Sequence, residues 1–229
     1  MTYSEELDNT RITLNGKQVG GHTTRTVADM LTNLPVLVES VANIPIGCGF
    51  GASGAGALGT AYALNEALCL NLTSAKIIET AHVAEVINRS GLGDVIAQSY
   101  GGVVIRTAPG APEYGKVDWI PVARKEVLCL PLGELDTGSV ISDPDLVWRI
   151  TSMGRGAMKK LMLAPTFETF MQCSRDFAIG TGLASDAIMD IVEAVGSAGG
   201  MASQAMLGES VFAIADPGRR EAVIEALNE

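Results

Sequence analysis

The stretch from residue 44 to residue 57, IPIGCGFGASGAGA, packs five glycines, one serine and little bulk into fourteen positions. Glycine loses more conformational freedom on folding than any other residue. A cluster this dense therefore marks a backbone path that other residues cannot follow, or the close approach of a ligand. From Ser53 through Leu70 small and apolar residues recur at helical spacing, so the glycine turn is expected to open a helix. Bare amides at a helix start, together with the positive end of its dipole, form an anion site. Tight packing of an all-small helix face explains the same composition, and both readings stay open at this point.

Three phosphate or nucleophile motifs nearly fit. Gly49-Phe50-Gly51-Ala52-Ser53-Gly54 satisfies GxGxxG, but that dinucleotide fingerprint wants an acidic residue about 20 positions on to hold the ribose. The corresponding region here, CLNLTS, has none. Gly49 and Gly54 also have the spacing of a P-loop, with Ala55-Gly56 where the lysine and hydroxyl residue belong. A nucleophile elbow fails by one place, because Ala55 stands where GxSxG needs its second glycine. What remains is a lysine-free cradle of amides.

Net charge is −10, which repels nucleic-acid backbones, and the densest basic groups are pairs such as Lys159-Lys160. Cys48, Cys69, Cys129 and Cys173 include no CxxC pair, and His22 and His82 are the only histidines, so no zinc-type constellation is present. The polar N-terminus MTYSEELDNTR has no signal-peptide character, and no apolar run reaches the ~18 residues a membrane helix needs. These features lead us to expect a cytoplasmic chain with reduced thiols.

Asn15-Gly16 predicts a hairpin, and Thr23–Leu34 a helix with Val27, Met30, Leu31 and Leu34 on one face. A strand runs into the glycine cluster, and a second helix covers about Thr73 to Asn88. VVIR and KEVLCLPL read as strands. Helices are expected over Asp143–Leu163, Thr166–Ala178 and Ser185–Val195, then a hairpin in GGMASQAMLGESVFAIA and a terminal helix from Pro217. The chain reads as α+β with a boundary near residues 131–142.

Pro45-xxx-Gly49-Phe50-Gly51-Ala52-Ser53-Gly54-Ala55 resembles the phosphate-binding motif PxxxGLGSSAA of the GHMP kinases. AHVAEVINRSGLGDVIAQSYGGVVIR resembles that family's second block: a helix glutamate, a glycine-bounded aspartate, then Gly-Gly and a strand. GGMASQAMLGESVFAIA stands where the family has its C-terminal glycine motif. The resemblance implies a ribosomal protein S5 domain 2-like N-terminal domain over residues 1–135, incomplete at its start because the family has a further block before the hairpin. A ferredoxin-like C-terminal domain over 136–229 is implied to follow. Sheet edges left open by that missing block favour self-association, with a homodimer expected.

The resemblance also implies ATP and Mg2+ as cofactors, a small-molecule substrate and transfer of phosphate to an alcohol. Pantoate, on the archaeal route to coenzyme A, is the expected acceptor. Homoserine- or mevalonate-type alcohols are the alternatives, as is a non-catalytic nucleotide-binding role. Gly49, Gly51, Ala52, Ser53, Gly54 and Ala55 would wrap the phosphates. Ser53 and Glu85 would hold Mg2+, which favours one or two carboxylates plus phosphates and waters. Asp94 would accept or orient the proton of the acceptor hydroxyl, although an aspartate at that point also suits a helix N-cap. His82 lies three residues before Glu85 on the same helix face, and the resemblance implies that it contacts the substrate. Arg106, at the end of VVIR, would clamp a substrate carboxylate with its planar fork.

Overall fold

The computed structural model describes residues 7–91, 93–135 and 137–228. The chain divides into two compact units: Met1–Pro45 together with Gly51–Trp119, and Ile46–Phe50 together with Ile120–Glu229.

In the first unit, Asn15 (φ 50°) and Gly16 (φ 77°) take the two left-handed positions of a tight hairpin turn. They join β1 (Arg11–Leu14) antiparallel to β2 (Lys17–Gln18). β3 (Leu37–Ser40) runs parallel to β1, in register Ile12 with Val38, which requires a crossover. α1 (His22–Leu31) supplies it. The sheet order is β2-β1-β3, and its buried face, Ile12, Val36 and Val38, packs on Ala28 and Leu64. α1 stops three residues short of the expected Leu34. Leu34 precedes Pro35, whose ring disfavours helical backbone at the residue before it, and Thr32 Oγ1 takes the Leu34 amide at 3.0 Å. The buried side of α1 is Thr23, Val27 and Ala28, whereas Met30 and Leu34 are exposed.

α2 (Ala52–Ala67) and α3 (Ser74–Asn88, capped by Thr73) pack on α1 through Val27, Ala57, Ala61, Ala81 and Ala84, all fully buried. Alanine contacts let the helices approach closely at interior packing density. The small-residue stripe of α2 is therefore a packing face along most of its length. α4 (Asp94–Tyr100) follows, and then β4 (Val103–Ala108) pairs with β5 (Lys116–Ile120) in a two-stranded sheet.

The second unit holds β6 (Glu126–Gly133), α5 (Thr137–Ser142), α6 (Pro144–Leu163), α7 (Phe167–Thr181), α8 (Asp186–Ser197), β7 (Met201–Gln204), β8 (Glu209–Ala215) and α9 (Arg220–Leu227). Asp143, Thr166 and Ser185 cap α6, α7 and α8 through their side-chain oxygens. Each such cap stabilises by about 1 kcal/mol. β8 is central and antiparallel to both β6 and β7. β6, drawn from the sequence into residues 1–135, is thus hydrogen-bonded to a strand of this unit. Ile188, Val195, Val211, Ala213 and Val223 are fully buried between the sheet and helices α8 and α9.

The segment Ile46–Phe50 also belongs here. Ser210 Oγ donates to the Cys48 carbonyl. At Gly49 (φ 82°) a Cβ would meet Ala205 O at 2.6 Å and Gly208 Cα at 2.9 Å, so both backbone angle and space demand glycine. Among the described residues no helix is long and apolar enough to cross a membrane.

Candidate active site

The site is built in the first unit around the start of α2. Gly51, at φ 70°, is the N-cap and offers no side-chain cap, and no acidic residue stands in the first turn. The first intrahelical bond runs from the Ala55 amide to Gly51 O at 3.0 Å, so the amides of Ala52, Ser53 and Gly54 have no carbonyl within the helix. Gln98 Nε2 donates to the same Gly51 carbonyl at 2.8 Å and ties α4 to this turn.

Glu85, a solvated-face residue by default, is instead 0% exposed. It points from α3 toward the α2 start, where a Cβ on Gly54 would lie 3.2 Å from its Oε2 and 3.1 Å from Asp94 Cβ. At Gly91 a Cβ would lie 2.7 Å from Asp94 Oδ2, 2.7 Å from Glu85 Oε1 and 2.8 Å from Glu85 Oε2. The two carboxylates therefore share one small space. Burial, and then the neighbouring Asp94 charge, push Glu85 up to about 7. The Ser53 and Ser90 hydroxyls and the Val95 amide oppose that shift. None makes a well-formed hydrogen bond to Oε2, which has no partner of good geometry. Burial also raises Asp94, against the pull of its own amide and of Arg106. Asp94 is the first residue of α4 and Gly93 the N-cap, with no side-chain capping bond, so the capping role is not the one adopted.

Arg106 sits inside β4 rather than at its end, half-buried, with Nη2 donating to Gly110 O at 3.3 Å. A Cβ on Gly93 would lie 3.3 Å from its Nη1, which puts the guanidinium beside the turn carrying Asp94. His82 is buried one turn before Glu85, and its Nδ1 has no hydrogen-bond partner. Burial and then the Arg106 charge hold it below the ordinary histidine value, which favours the neutral ring.

Ser53, His82, Glu85, Asp94 and Arg106 are thus brought together from α2, α3, α4 and β4. Gly51, Ala52, Gly54 and Ala55 line the same helix start, while Gly49 lies in the second unit. Three contributors had escaped sequence reasoning. Ser53 Oγ donates to Thr23 Oγ1 at 3.3 Å, and the Thr23 and Ser90 hydroxyls are 2.9 Å apart. These partners are 30 and 67 positions apart in the chain, and neither residue type nor spacing signals such a contact. Gln98 is the third.

Chemically this is an oxygen-rich, partly dehydrated site with one cationic clamp. Glu85, with an unpartnered buried oxygen, and the Ser53 hydroxyl suit a hard cation such as Mg2+. Among the described residues no group of three or more His, Cys, Asp or Glu could hold a metal, so such an ion needs phosphate oxygens or water to complete its shell.

The model of the GHMP kinases N terminal domain matches residues 19–102, and that of the GHMP kinases C terminal matches 158–229. The pantoate kinase of Thermococcus kodakarensis is 39% identical over 173 residues, covering 75% of this chain and 57% of that protein. The pantoate kinase of Methanocaldococcus jannaschii is 37% identical over 188 residues, covering 82% and 66%. The chain spans 57–66% of the length of the curated relatives it matches. A solved structure described as a phosphotransferase related to the CoA biosynthesis pathway superimposes with TM-score 0.85 at 34% identity, covering 96% of this chain and 75% of that one. Homoserine kinase from Cytophaga hutchinsonii, at 17% identity and TM-score 0.68, shares the fold. With both domain models matched, the chain belongs to the GHMP kinases.

Proposed function

We propose that the protein is a cytoplasmic kinase that uses ATP and Mg2+ to phosphorylate the primary hydroxyl of pantoate, yielding 4-phosphopantoate for coenzyme A synthesis. The observation that carries this reading is the meeting of Glu85 and Asp94 at the uncapped start of α2, with Arg106 beside the Asp94 turn and His82 within reach of the Arg106 charge. The pantoate kinases at 37–39% identity support the acceptor.

The free amides of Ala52, Ser53 and Gly54 bind phosphate oxygens, aided by the helix dipole. Ser53 and Glu85 hold Mg2+, which supplies neutralisation of phosphate charge when bound. Arg106 grips the acceptor carboxylate through its fork, and neutral His82 hydrogen-bonds the acceptor beside it. Asp94 takes the proton of the primary hydroxyl as that oxygen bonds to the γ-phosphorus and the bridge to ADP breaks. A carboxylate raised by burial is a stronger base for that transfer than an exposed aspartate. A homodimer is part of the proposal, supported by β2 and β3 standing at the edges of their sheet among the described residues. Sedimentation tests that part.

The decisive experiment is a coupled assay of ADP release with pantoate, homoserine and mevalonate. Pantoate is expected to exceed the others by at least about tenfold in kcat/KM, the lower end of what a methylene-scale difference in shape gives, since all three acceptors carry a carboxylate. Equal turnover of the three removes the acceptor assignment. ATP binding without turnover of any of them favours a nucleotide-binding role.

A further inference from the structure

We infer that Thr23 and Ser90 are positioning residues for the cation site: their hydroxyls form a chain that draws the Ser53 proton inward and ends on Glu85, fixing both metal-binding side chains in one network. The inference rests on the kinase reading above.

A hydroxyl that ligates a cation does so through an oxygen lone pair, so its proton needs an acceptor on the other side. Ser53 Oγ gives its proton to Thr23 Oγ1 at 3.3 Å. Thr23 Oγ1 and Ser90 Oγ stand 2.9 Å apart, where either is able to donate. Ser90 Oγ lies 3.5 Å from Glu85 Oε1, with the geometry of a donor. Each hydroxyl has one hydrogen. Along the contacts Ser53–Thr23, Thr23–Ser90 and Ser90–Glu85, the order Ser53 to Thr23 to Ser90 to Glu85 uses all three. If instead Ser90 donates to Thr23, Glu85 Oε1 loses the Ser90 hydrogen bond, while Oε2 already lacks a partner. The directional chain thus leaves the Ser53 lone pairs free and holds Glu85 from behind.

The three hydroxyls come from three places: α2, the start of α1, and the turn after α3. Thr23 is 8% exposed and Ser90 half-buried, so neither hydroxyl is there for solubility. A hydrogen-bonded chain of this kind stiffens cooperatively, and partners behind metal ligands commonly govern affinity.

The test compares the wild-type chain with Thr23→Val, Thr23→Ser and Ser90→Ala, with Mn2+ as the probe. Free Mn2+ is measured by electron paramagnetic resonance in the presence of a non-hydrolysable ATP analogue, so no turnover is involved. Thr23→Val and Ser90→Ala are expected to weaken Mn2+ binding by about 10- to 100-fold, as loss of an outer-shell partner does. Thr23→Ser keeps the hydroxyl and is expected to restore most of the affinity. In steady state the Mg2+ requirement rises while KM for the acceptor stays constant.

Wild-type Mn2+ affinity in Thr23→Val overturns the inference. So does an equal loss in Thr23→Ser, which assigns the effect to packing. Should Thr23→Val fail to fold, Ser90→Ala breaks the chain from its other end, and wild-type affinity there overturns the inference equally. A wild-type chain that binds Mn2+ with the analogue but phosphorylates no alcohol refutes the kinase reading, while the variant affinities still decide the inference.

Discussion

Glu85 and Asp94 face one another across the Cα of Gly91, so close that a methyl group there would touch an oxygen of each at 2.7 Å. Gly91 is not among the positive-φ glycines, and the three atoms nearest an added methyl are all carboxylate oxygens. Gly91→Ala is therefore a test of that shared space. Overpacking of this kind costs about 1–3 kcal/mol. Displacing reacting groups by a fraction of the site costs about a hundredfold in rate. Both changes are expected, read as melting temperature and kcat. An alanine variant with wild-type turnover would mean that the two carboxylates need not meet.

Stability of the metal-free protein should depend on pH through Glu85. Folded, it keeps its proton to about 7, against 4.5 for the unfolded chain. The folded state thus binds more protons in this window. The stability contributed by Glu85 is fully present below 4.5 and is lost as pH rises through 7, a swing on the order of 3 kcal/mol. The difference in melting temperature between wild type and Glu85→Gln should grow in favour of the variant from pH 5 to pH 8. A difference that stays flat removes the buried-acid account. Mg2+ added with nucleotide should offset the loss at pH 8, since it binds the ionised form.

Much of this was legible in the sequence, and the gaps have physical causes. Helical period placed His82 and Glu85 on one face, Pro144 marked the first turn of α6, and Ser185 the start of α8. Asn15-Gly16 announced its hairpin because few other residues take two left-handed positions in succession. What escaped depends on tertiary context. The parallel pairing of β1 with β3 is fixed by α1 folding across them, not by either strand's own pattern. β5, KVDWI, reads as polar and leaves Trp119 exposed, so no core-facing alternation marks it. Thr23 looked like an ordinary helix residue, and Met30 and Leu34 looked more buried than it. Their order reversed because Thr23 faces polar partners inside the unit.

Asp94→Asn separates the catalytic role from a structural one. Loss of a general base lowers kcat by about 10²- to 10⁴-fold. Burial already disfavours the charged form of Asp94, and its charge raises Glu85, so removing that charge should leave the melting temperature unchanged or higher at pH 8. A catalytic collapse without destabilisation is the expected pair of results. Retention of full kcat excludes Asp94 as the proton acceptor.

Arg106 has two effects that a pair of variants can split. Its fork is held by Gly110 O at 3.3 Å and placed beside Gly93, a geometry suited to a planar carboxylate. Arg106→Lys keeps the charge but loses the bidentate contact. It should raise KM for pantoate by about tenfold, the worth of one charge-assisted hydrogen bond, with a smaller change in kcat. Arg106→Ala also removes the positive charge that pulls Asp94 down. With that pull gone, Asp94 rises further and needs a higher pH to ionise. The acid limb of kcat/KM should therefore move to higher pH in Arg106→Ala and stay near its wild-type position in Arg106→Lys. An acid limb unmoved in both variants would show that Arg106 and Asp94 are not electrostatically coupled during turnover.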